Sequence, residues 1–269
     1  MNHVPDSEDR ALVFLPTFNE RENVGTLCSE ILGLGLNADI LFMDDASPDG
    51  TGEVLDRLAA EHPNVGVIHR PRKLGIGSAH RDGINWAYDH EYSTLVTMDC
   101  DFAHRPEHLS ELLSRSRDSD VVVGSRYLRQ GSLDEWVLYR KVLAALAHLL
   151  TKSLLRIRYD ATGAFRAYRL DRIPRETFGL VQSSSYSFFF ESLVVLQVNG
   201  HRIEEVPIKV AARTFGRSKM RVTDAIGSIT RLLRVFLALY LRPSRYRLPE
   251  GGALREETPR SIKHRPLDD

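Results

Sequence analysis

Short apolar runs alternate with helix-period segments through the first half of the chain. Ala11–Leu15, Asp39–Met43, Val65–His69, Thr94–Met98 and Asp120–Val123 read as buried strands. Helical patterns lie between them, near Glu20–Leu32, Gly52–Glu61, Gly77–His90 and Pro106–Arg117. Strand-helix repetition predicts an α/β fold with a mainly parallel, doubly wound sheet flanked by helices. The second half departs from this rhythm. Val137–Ile157 and Met220–Leu241 read as apolar, amphipathic helices, the first broken by Arg140, Lys141, Lys152 and Arg156, the second by Arg231 and Arg234. Ala164–Tyr168 and Arg202–Val210 read as further strands. From Pro243 the chain is polar and rich in Arg, Glu and Pro, which predicts a disordered tail over 243–269. The expected organisation is therefore one domain over 1–242, with halves 10–125 and 126–242.

Charge changes the picture locally. The chain has 36 basic and 36 acidic residues, so no net field points to nucleic acid. Acidic residues gather before Glu111, whereas arginines dominate from Arg126 to Arg247. That division suits a metal-handling half and an anion-handling half. Cys28 and Cys100 build no disulfide framework and fit a reducing setting. The N-terminus has no basic region followed by an apolar run, and no stretch approaches the roughly 20 apolar residues that span a bilayer. A cytoplasmic location is expected.

In open α/β sheets, ligands bind beyond the carboxyl ends of the strands. There the sequence places three polar loops: Pro16-Thr17-Phe18-Asn19-Glu20, Asp44-Asp45-Ala46-Ser47-Pro48-Asp49-Gly50, and Asp99-Cys100-Asp101. Two carboxylates one residue apart at a strand end suit a hard divalent cation, Mg²⁺ or Mn²⁺, with positions left for phosphate oxygens. Asp-x-Asp is also an ordinary surface turn, and the second acidic loop gives it weight. Asp49 is a candidate helix cap as well. Gly75-Ile76-Gly77 lacks the other glycines of a dinucleotide fingerprint and reads as the start of a helix. His104 stands near the candidate metal site, as a ligand or as a supporting residue. Ser47, Ser78 and Ser125 have no partners in a hydrolase pattern, and Cys100 is placed for backbone contact rather than thiol chemistry.

Several segments together resemble the family-2 glycosyltransferases. They are Phe14 to Asn23 (FLPTFNEREN), Met43 to Thr51 (MDDASPDGT), Arg72 to Ala79 (RKLGIGSA) and Met98 to Glu107 (MDCDFAHRPE). Gly124-Ser125-Arg126-Tyr127, Trp136 with Arg140, and Arg213 with Gly216, Ser218 and Lys219 extend the resemblance over about residues 11–220, most of all to the dolichol-phosphate (polyprenol-phosphate) mannosyltransferases. The resemblance implies a Rossmann-like fold of the glycosyltransferase A type, with 10–125 the nucleotide-binding half and 126–242 the acceptor and membrane-facing half. It places Pro16, Phe18, Glu20, Met43 and Asp45 around the nucleoside. Asp99, Cys100 and Asp101 fall at the metal and diphosphate, with Asp99 and Asp101 as metal ligands. Arg126, Arg213 and Lys219 fall at anionic groups of donor and acceptor, with Arg140 helping Arg126 and Arg213 at the acceptor phosphate. Asp99, Asp101, Arg126 and Arg213 are the expected catalytic set.

The implied reaction is inverting transfer of mannose from GDP-mannose to a polyprenyl monophosphate. A lipid phosphate is already ionised at neutral pH, so it needs cationic positioning rather than a general base. Such an acceptor implies peripheral contact with the cytoplasmic face of a membrane, through the two amphipathic helices and their basic residues, and admits a membrane-anchoring partner subunit. The sequence departs from the family pattern on the acceptor side. Ala103 stands where Gln or Ser often helps bind metal, Thr162-Gly163-Ala164-Phe165 replaces Thr-Ser-Gly-Phe, and Phe188-Phe189-Phe190-Glu191 lacks the usual Gln. The Ser and Asn usual after Arg140 are also not evident. Two alternatives stay open. One is a transferase using a UDP-sugar such as UDP-glucose or UDP-N-acetylglucosamine, with a lipid-phosphate or hydroxyl acceptor. The other is a degenerate nucleotide-binding protein.

Overall fold

The computed structural model describes residues 10–211 and 222–249. Among them, one mixed sheet runs in the order β3-β2-β1-β4-β6-β5-β7. The strands are β1 (Ala11–Thr17), β2 (Ala38–Asp44), β3 (Val65–His69), β4 (Thr94–Thr97), β5 (Val121–Ser125), β6 (Arg166–Arg169) and β7 (Ile203–Pro207). The helices are α1 (Arg21–Gly33), α2 (Thr51–Glu61), α3 (Ile76–Asp89), α4 (Leu109–Arg115), α5 (Leu138–Leu154), α6 (Arg175–Gly179), α7 (Phe188–Val198) and α8 (Val222–Leu241). The strand-helix alternation legible in the sequence is thus the observed first half, and the sheet is the mainly parallel, helix-flanked one expected.

Alternate residues of each strand enter opposite cores, as a pleated strand with both faces covered requires. Leu12 and Phe14 of β1 join Leu41 and Met43 of β2 in a core with Ala79 and Ile84 of α3. Val13 and Leu15 join Ile40 and Phe42 in the other core, with Val24, Leu27 and Leu55 of α1 and α2. Fully burying one such side chain contributes roughly 1.5–3 kcal/mol.

The register brings the three polar loops together. Thr17 is level with Asp44, and Phe14 with Thr97. Backbone bonds Asp45 N–H to Thr17 O (2.9 Å) and Met98 N–H to Phe14 O (3.0 Å) carry the pairing just past the strand ends. β6 runs antiparallel between β4 and β5. Its N-terminal approach, Thr162–Ala164, therefore arrives at the edge where β4 and β5 end. Thr97 Oγ1–H donates to Ala164 O there at 2.5 Å.

The chain stays packed beyond the boundary expected at Pro243. Pro243–Tyr246 forms a 3₁₀ turn, and Tyr246 is buried in the core. Asn199 Nδ2 donates to Tyr246 O (2.8 Å), and Leu248 N–H donates to Asn199 Oδ1 (2.8 Å). The rest of the expected tail, from residue 250, lies outside the described residues. One buried aromatic is what composition alone hides in an otherwise polar segment.

Candidate active site

A cavity of about 600 Å³ opens at the carboxyl edge of the sheet. Pro16, Phe18, Glu20, Asp45, Asp99, Cys100, Asp101 and Arg126, all singled out from the sequence, line it. Met43 does not. The period of β2 points its side chain into the core beneath α3, where it is 2% exposed. It supports the end of β2 from below rather than facing the cavity. Arg213 and Lys219 lie outside the described residues. Arg140 stands in the first turn of α5, with its side chain also outside them.

The Asp45 loop is built by satisfied carboxylates. Asp45 Oδ1 accepts from Arg70 Nη1 (2.6 Å), and Oδ2 accepts from the backbone N–H groups of Leu74 (3.1 Å) and Gly75 (2.9 Å). Arg70 is itself buried and reaches Asp82 (2.8 Å) and Ser78. Asp45 thereby fixes the loop between β3 and α3, and that loop carries Lys73 to the cavity, where its Nζ sits 3.8 Å over the Phe18 ring. Asp49 acts as a local brace: Oδ1 accepts from Thr51 N–H (3.0 Å) and Thr51 Oγ1–H (2.6 Å), and Oδ2 from Arg21 N–H (3.3 Å). It ties the starts of α1 and α2 together. Burial opposes its ionisation, but the bonds from Thr51 and Arg21 prevail and hold its carboxyl below the usual range. The cap expected at Asp49 is therefore a bridge between two helices.

Each of the three loops contains one non-glycine residue with left-handed backbone: Asn19 (φ 55°), Ala46 (φ 56°) and Phe102 (φ 60°). Such conformations cost of order 1–3 kcal/mol for ordinary residues and persist where the surroundings impose them. Here they lie in or directly after the loops that follow β1, β2 and β4.

Asp99 is the more open of the acidic pair, its side chain 36% exposed, whereas Asp101 is buried. Asp101 Oδ1 accepts from Ala103 N–H (3.0 Å), which closes the turn. His104 Nδ1 accepts from Asp99 N–H (3.2 Å), and its ring stacks on Phe165 at 5.0 Å. His104 also lines the cavity, so it braces the loop from within. Among the described residues no group of three or more His, Cys, Asp or Glu gathers as a ready-made metal cage. Two carboxylates on a cavity wall nevertheless fit a hard cation that completes its shell with water and phosphate oxygens.

Arg126 follows β5 and lines the cavity. Its Nε and Nη2 donate to Asp160 Oδ2 (2.7 Å) and Oδ1 (2.6 Å), and its backbone N–H also reaches Oδ2 (3.1 Å). Asp160 is fully buried, and Glu205 of β7 accepts its N–H at 2.7 Å. Burial disfavours both charges. Their mutual pairing prevails, raising the Arg126 pKa and lowering that of Asp160. Thr162 adds a bond to Nη2.

Lys73, Thr162 and Gly163, which the sequence reading met only inside family segments, also line the cavity. The serine-rich segment Ser184–Tyr186, and Thr223 and Asp224 at the start of α8, escaped that reading. Nothing in their local pattern marks a site, and only the packing of α7 and α8 brings them to the edge. Gly75-Ile76-Gly77 does start α3, as expected. Ser78 N–H donates to Ser184 O (3.1 Å), and a Cβ on Gly77 would fall 2.5 Å from Ser185 O. Gly77 is small because another backbone lies against it.

Comparison with known proteins agrees with this architecture. The family model described as Glycosyl transferase family 2 matches residues 12–173. The chain is 37% identical over 226 residues to the undecaprenyl-phosphate mannosyltransferase of Micrococcus luteus, covering 82% of this chain and 93% of the relative. It is 38% identical over 214 residues to the polyprenol monophosphomannose synthase of Mycolicibacterium smegmatis, covering 78% and 81%. The mannosyltransferase PcManGT of Pyrobaculum calidifontis, solved with GDP-Man and Mn²⁺, is similar in fold, with a TM-score of 0.53, 17% identity, and coverage of 86% of this chain and 66% of that one. With its acid-lined cleft at the carboxyl edge of the sheet, this chain belongs to glycosyltransferase family 2 and is a glycosyltransferase.

Proposed function

We propose that the enzyme transfers mannose from GDP-mannose to a polyprenyl monophosphate, with inversion at the anomeric carbon. The observation that carries the lipid acceptor is the make-up of α8. Thr223 and Asp224 of its first turn line the cavity. Its outward face then exposes Ile226, Ile229, Leu233, Leu237 and Tyr240, spaced three and four residues apart. A phosphate head entering the cavity can leave its hydrocarbon chain along such a surface. α5 exposes a second stripe, Tyr139, Val142, Leu143, Leu146 and Leu149. No helix among the described residues is long and apolar enough to cross a membrane. Peripheral contact with a membrane, through stripes that would otherwise face water, is the reading these faces support, and in this proposal it is made at the cytoplasmic face. The names of the two bacterial relatives supply the mannosyl and polyprenyl-phosphate parts of the reading.

In this reading Phe18, Glu20 and Asp45 hold the nucleoside. Asp99 and Asp101 hold Mg²⁺ or Mn²⁺, as the presence of Mn²⁺ in the Pyrobaculum enzyme encourages. The ion, when bound, neutralises charge that develops on the departing diphosphate. Arg126, Arg140, Arg213 and Lys219 position anionic oxygens of donor and acceptor. An oxygen of the lipid phosphate forms the new bond to the anomeric carbon as the bond to the nucleoside diphosphate breaks. No proton has to be removed, because the acceptor is already ionised.

The test is transfer of radiolabelled sugar from a panel of GDP- and UDP-sugars to undecaprenyl phosphate in anionic vesicles with Mn²⁺. The expected product is β-linked mannosyl phospholipid, formed from GDP-mannose and identified by NMR of the anomeric centre. Transfer from UDP-sugars alone would sink the donor assignment, and retention of configuration would sink the single displacement.

A further inference from the structure

The segment between α6 and α7 is tied down at both ends of its width. Ser184, Ser185 and Tyr186 form cavity wall. Immediately before them, the N–H groups of Gln182 and Ser183 donate to Glu191 Oε1 (3.2 Å) and Oε2 (3.0 Å). Glu191, in the first turn of α7, is 0% exposed. The same two oxygens accept from Arg231 of α8, Oε2 from Nε at 3.0 Å and Oε1 from Nη2. Arg231 Nη2 also reaches Gln182 Oε1 (3.3 Å). On its other side the segment bears on α3, where Arg81 Nη2 donates to Ser183 O (2.9 Å) and Ser78 N–H to Ser184 O. One buried carboxylate, to which Tyr246 is also hydrogen-bonded, therefore divides its bonding between the two amides that lead into a cavity wall and the helix with the exposed apolar face.

We propose that Glu191 and Arg231 are a positioning pair that sets the Ser184–Tyr186 wall from α8, so that the seating of α8 governs how the sugar of the donor is held. This rests on the transferase reading above and deepens it. In that reading the loops after β1, β2 and β4 serve the nucleoside and diphosphate, which leaves the serine wall to the sugar beyond them. A forked guanidinium holds both carboxylate oxygens in plane. Removing it leaves a buried carboxylate that must take up a proton or admit water, and either change loosens its grip on the two amides.

The experiment compares wild type with Arg231→Met, Arg231→Lys, Glu191→Gln and the Glu191→Gln/Arg231→Met double variant. Calorimetry with Mn²⁺ gives the ratio of Kd for GDP to Kd for GDP-mannose, and hydrogen exchange reports the amides of 182–187. The expected result for Arg231→Met is GDP affinity within about twofold of wild type, the ratio shifted at least about fivefold, and exchange of Gln182 and Ser183 faster by about tenfold or more. The double variant should be no worse than the single one, because the residues act as a unit. Arg231→Lys, which keeps the cation without the fork, should shift the ratio less and in the same direction. It carries the test if Arg231→Met does not fold. An unchanged ratio despite loosened amides would reduce the pair to a structural brace and overturn the proposal, as would an equal loss of GDP and GDP-mannose affinity. If wild type prefers UDP and UDP-glucose, the same ratio is read with that pair, and only the donor assignment above fails. Failure to glycosylate lipid phosphate likewise leaves this ratio as an independent readout of the pair.

Discussion

Arg126 reaches the cavity already gripped by Asp160, through paired bonds of 2.6 and 2.7 Å. The fork fixes the plane of the guanidinium before any ligand arrives, so the cation is presented without an ordering cost. Asp160→Asn keeps the shape and removes the charge. It leaves Arg126 buried without its counter-ion, and breaking such a pair costs about 3–5 kcal/mol of stability. Chemical denaturation should show that loss at pH 7, with transfer falling at least about tenfold in whatever remains folded. The lowered pKa of Asp160 means the unfolded chain binds its proton first. The contribution of the pair is thus present above the ordinary carboxylate pKa and is lost as pH falls through the folded value. An Asp160→Asn chain that is as stable and active as wild type would remove Arg126 from the machinery.

Asp101→Asn separates charge from scaffold. The amide oxygen can still accept from Ala103 N–H, so the turn should keep its shape and thermal stability should change by less than about 1 kcal/mol. Transfer should fall by about a hundredfold or more, and Mn²⁺ binding in the presence of nucleoside diphosphate, read by electron paramagnetic resonance, should weaken in parallel. Asp99→Asn should do the same. Full activity with unchanged Mn²⁺ affinity in either variant would place the cation elsewhere.

Gly77 and Gly25 make a paired test of packing. A Cβ on Gly77 meets Ser185 O, Ser184 C and Ser185 N at 2.5–2.8 Å, all backbone that cannot rotate away. Gly77→Ala should cost about 1–3 kcal/mol in thermal unfolding. Gly25, inside α1, has nothing within 4 Å of its Cβ position. Gly25→Ala should stabilise by about 0.5–1 kcal/mol. Equal effects at the two positions would mean that the serine wall does not rest on α3.

His80 gives a pH signature. It is 1% exposed, stacked on Phe188 at 5.6 Å, and its Nε2 has no hydrogen-bond partner. Burial, helped by the nearby Arg166 charge, lowers its pKa to about 3. Between the ordinary histidine pKa and that value the unfolded chain binds a proton that the folded chain refuses. Stability from this group is therefore full above about pH 6.5 and falls as pH drops, by at most about 1.4 kcal/mol per pH unit. His80→Phe should flatten the acid limb of a stability–pH profile by that slope relative to wild type. Parallel profiles would show that His80 is charged when folded.

The apolar stripe of α8 is tested by Leu233→Ser with Leu237→Ser. Both side chains are about half exposed, so folding stability should change by less than about 0.5 kcal/mol for each. Sedimentation with phosphatidylglycerol vesicles should drop by about fivefold or more, and activity on vesicle-borne acceptor should drop with it. Undiminished vesicle binding would assign the membrane contact to another surface.

Local physics made much of this protein legible from its residues alone. Runs such as Val65–His69 carry a strand signal that depends only on their own composition, and β3 has those bounds. Carboxylates directly after β2 and β4 announce themselves by position, because parallel sheets expose their loops at one edge. By contrast α7 is buried almost all round, Glu191 and Ser192 included, so it has no polar face for a periodicity to reveal. β6 was legible as a strand over Ala164–Tyr168, but its antiparallel course was hidden, since strand direction is not written in a strand's own residues.

Tertiary structure alone decided which charges meet. Asp160 lies 34 residues from Arg126, and Glu191 lies 40 from Arg231. Nothing in either spacing signals a partner, because strand order, register and helix packing set those distances. The same holds for Met43, which sequence motif assigns to the cleft and the two-residue period of β2 turns into the core. Sequence determined what chemistry could stand at the sheet edge. The fold determined which cations stay paired beneath it, because a buried ion is tolerable only beside a counter-ion or donor that long-range packing supplies.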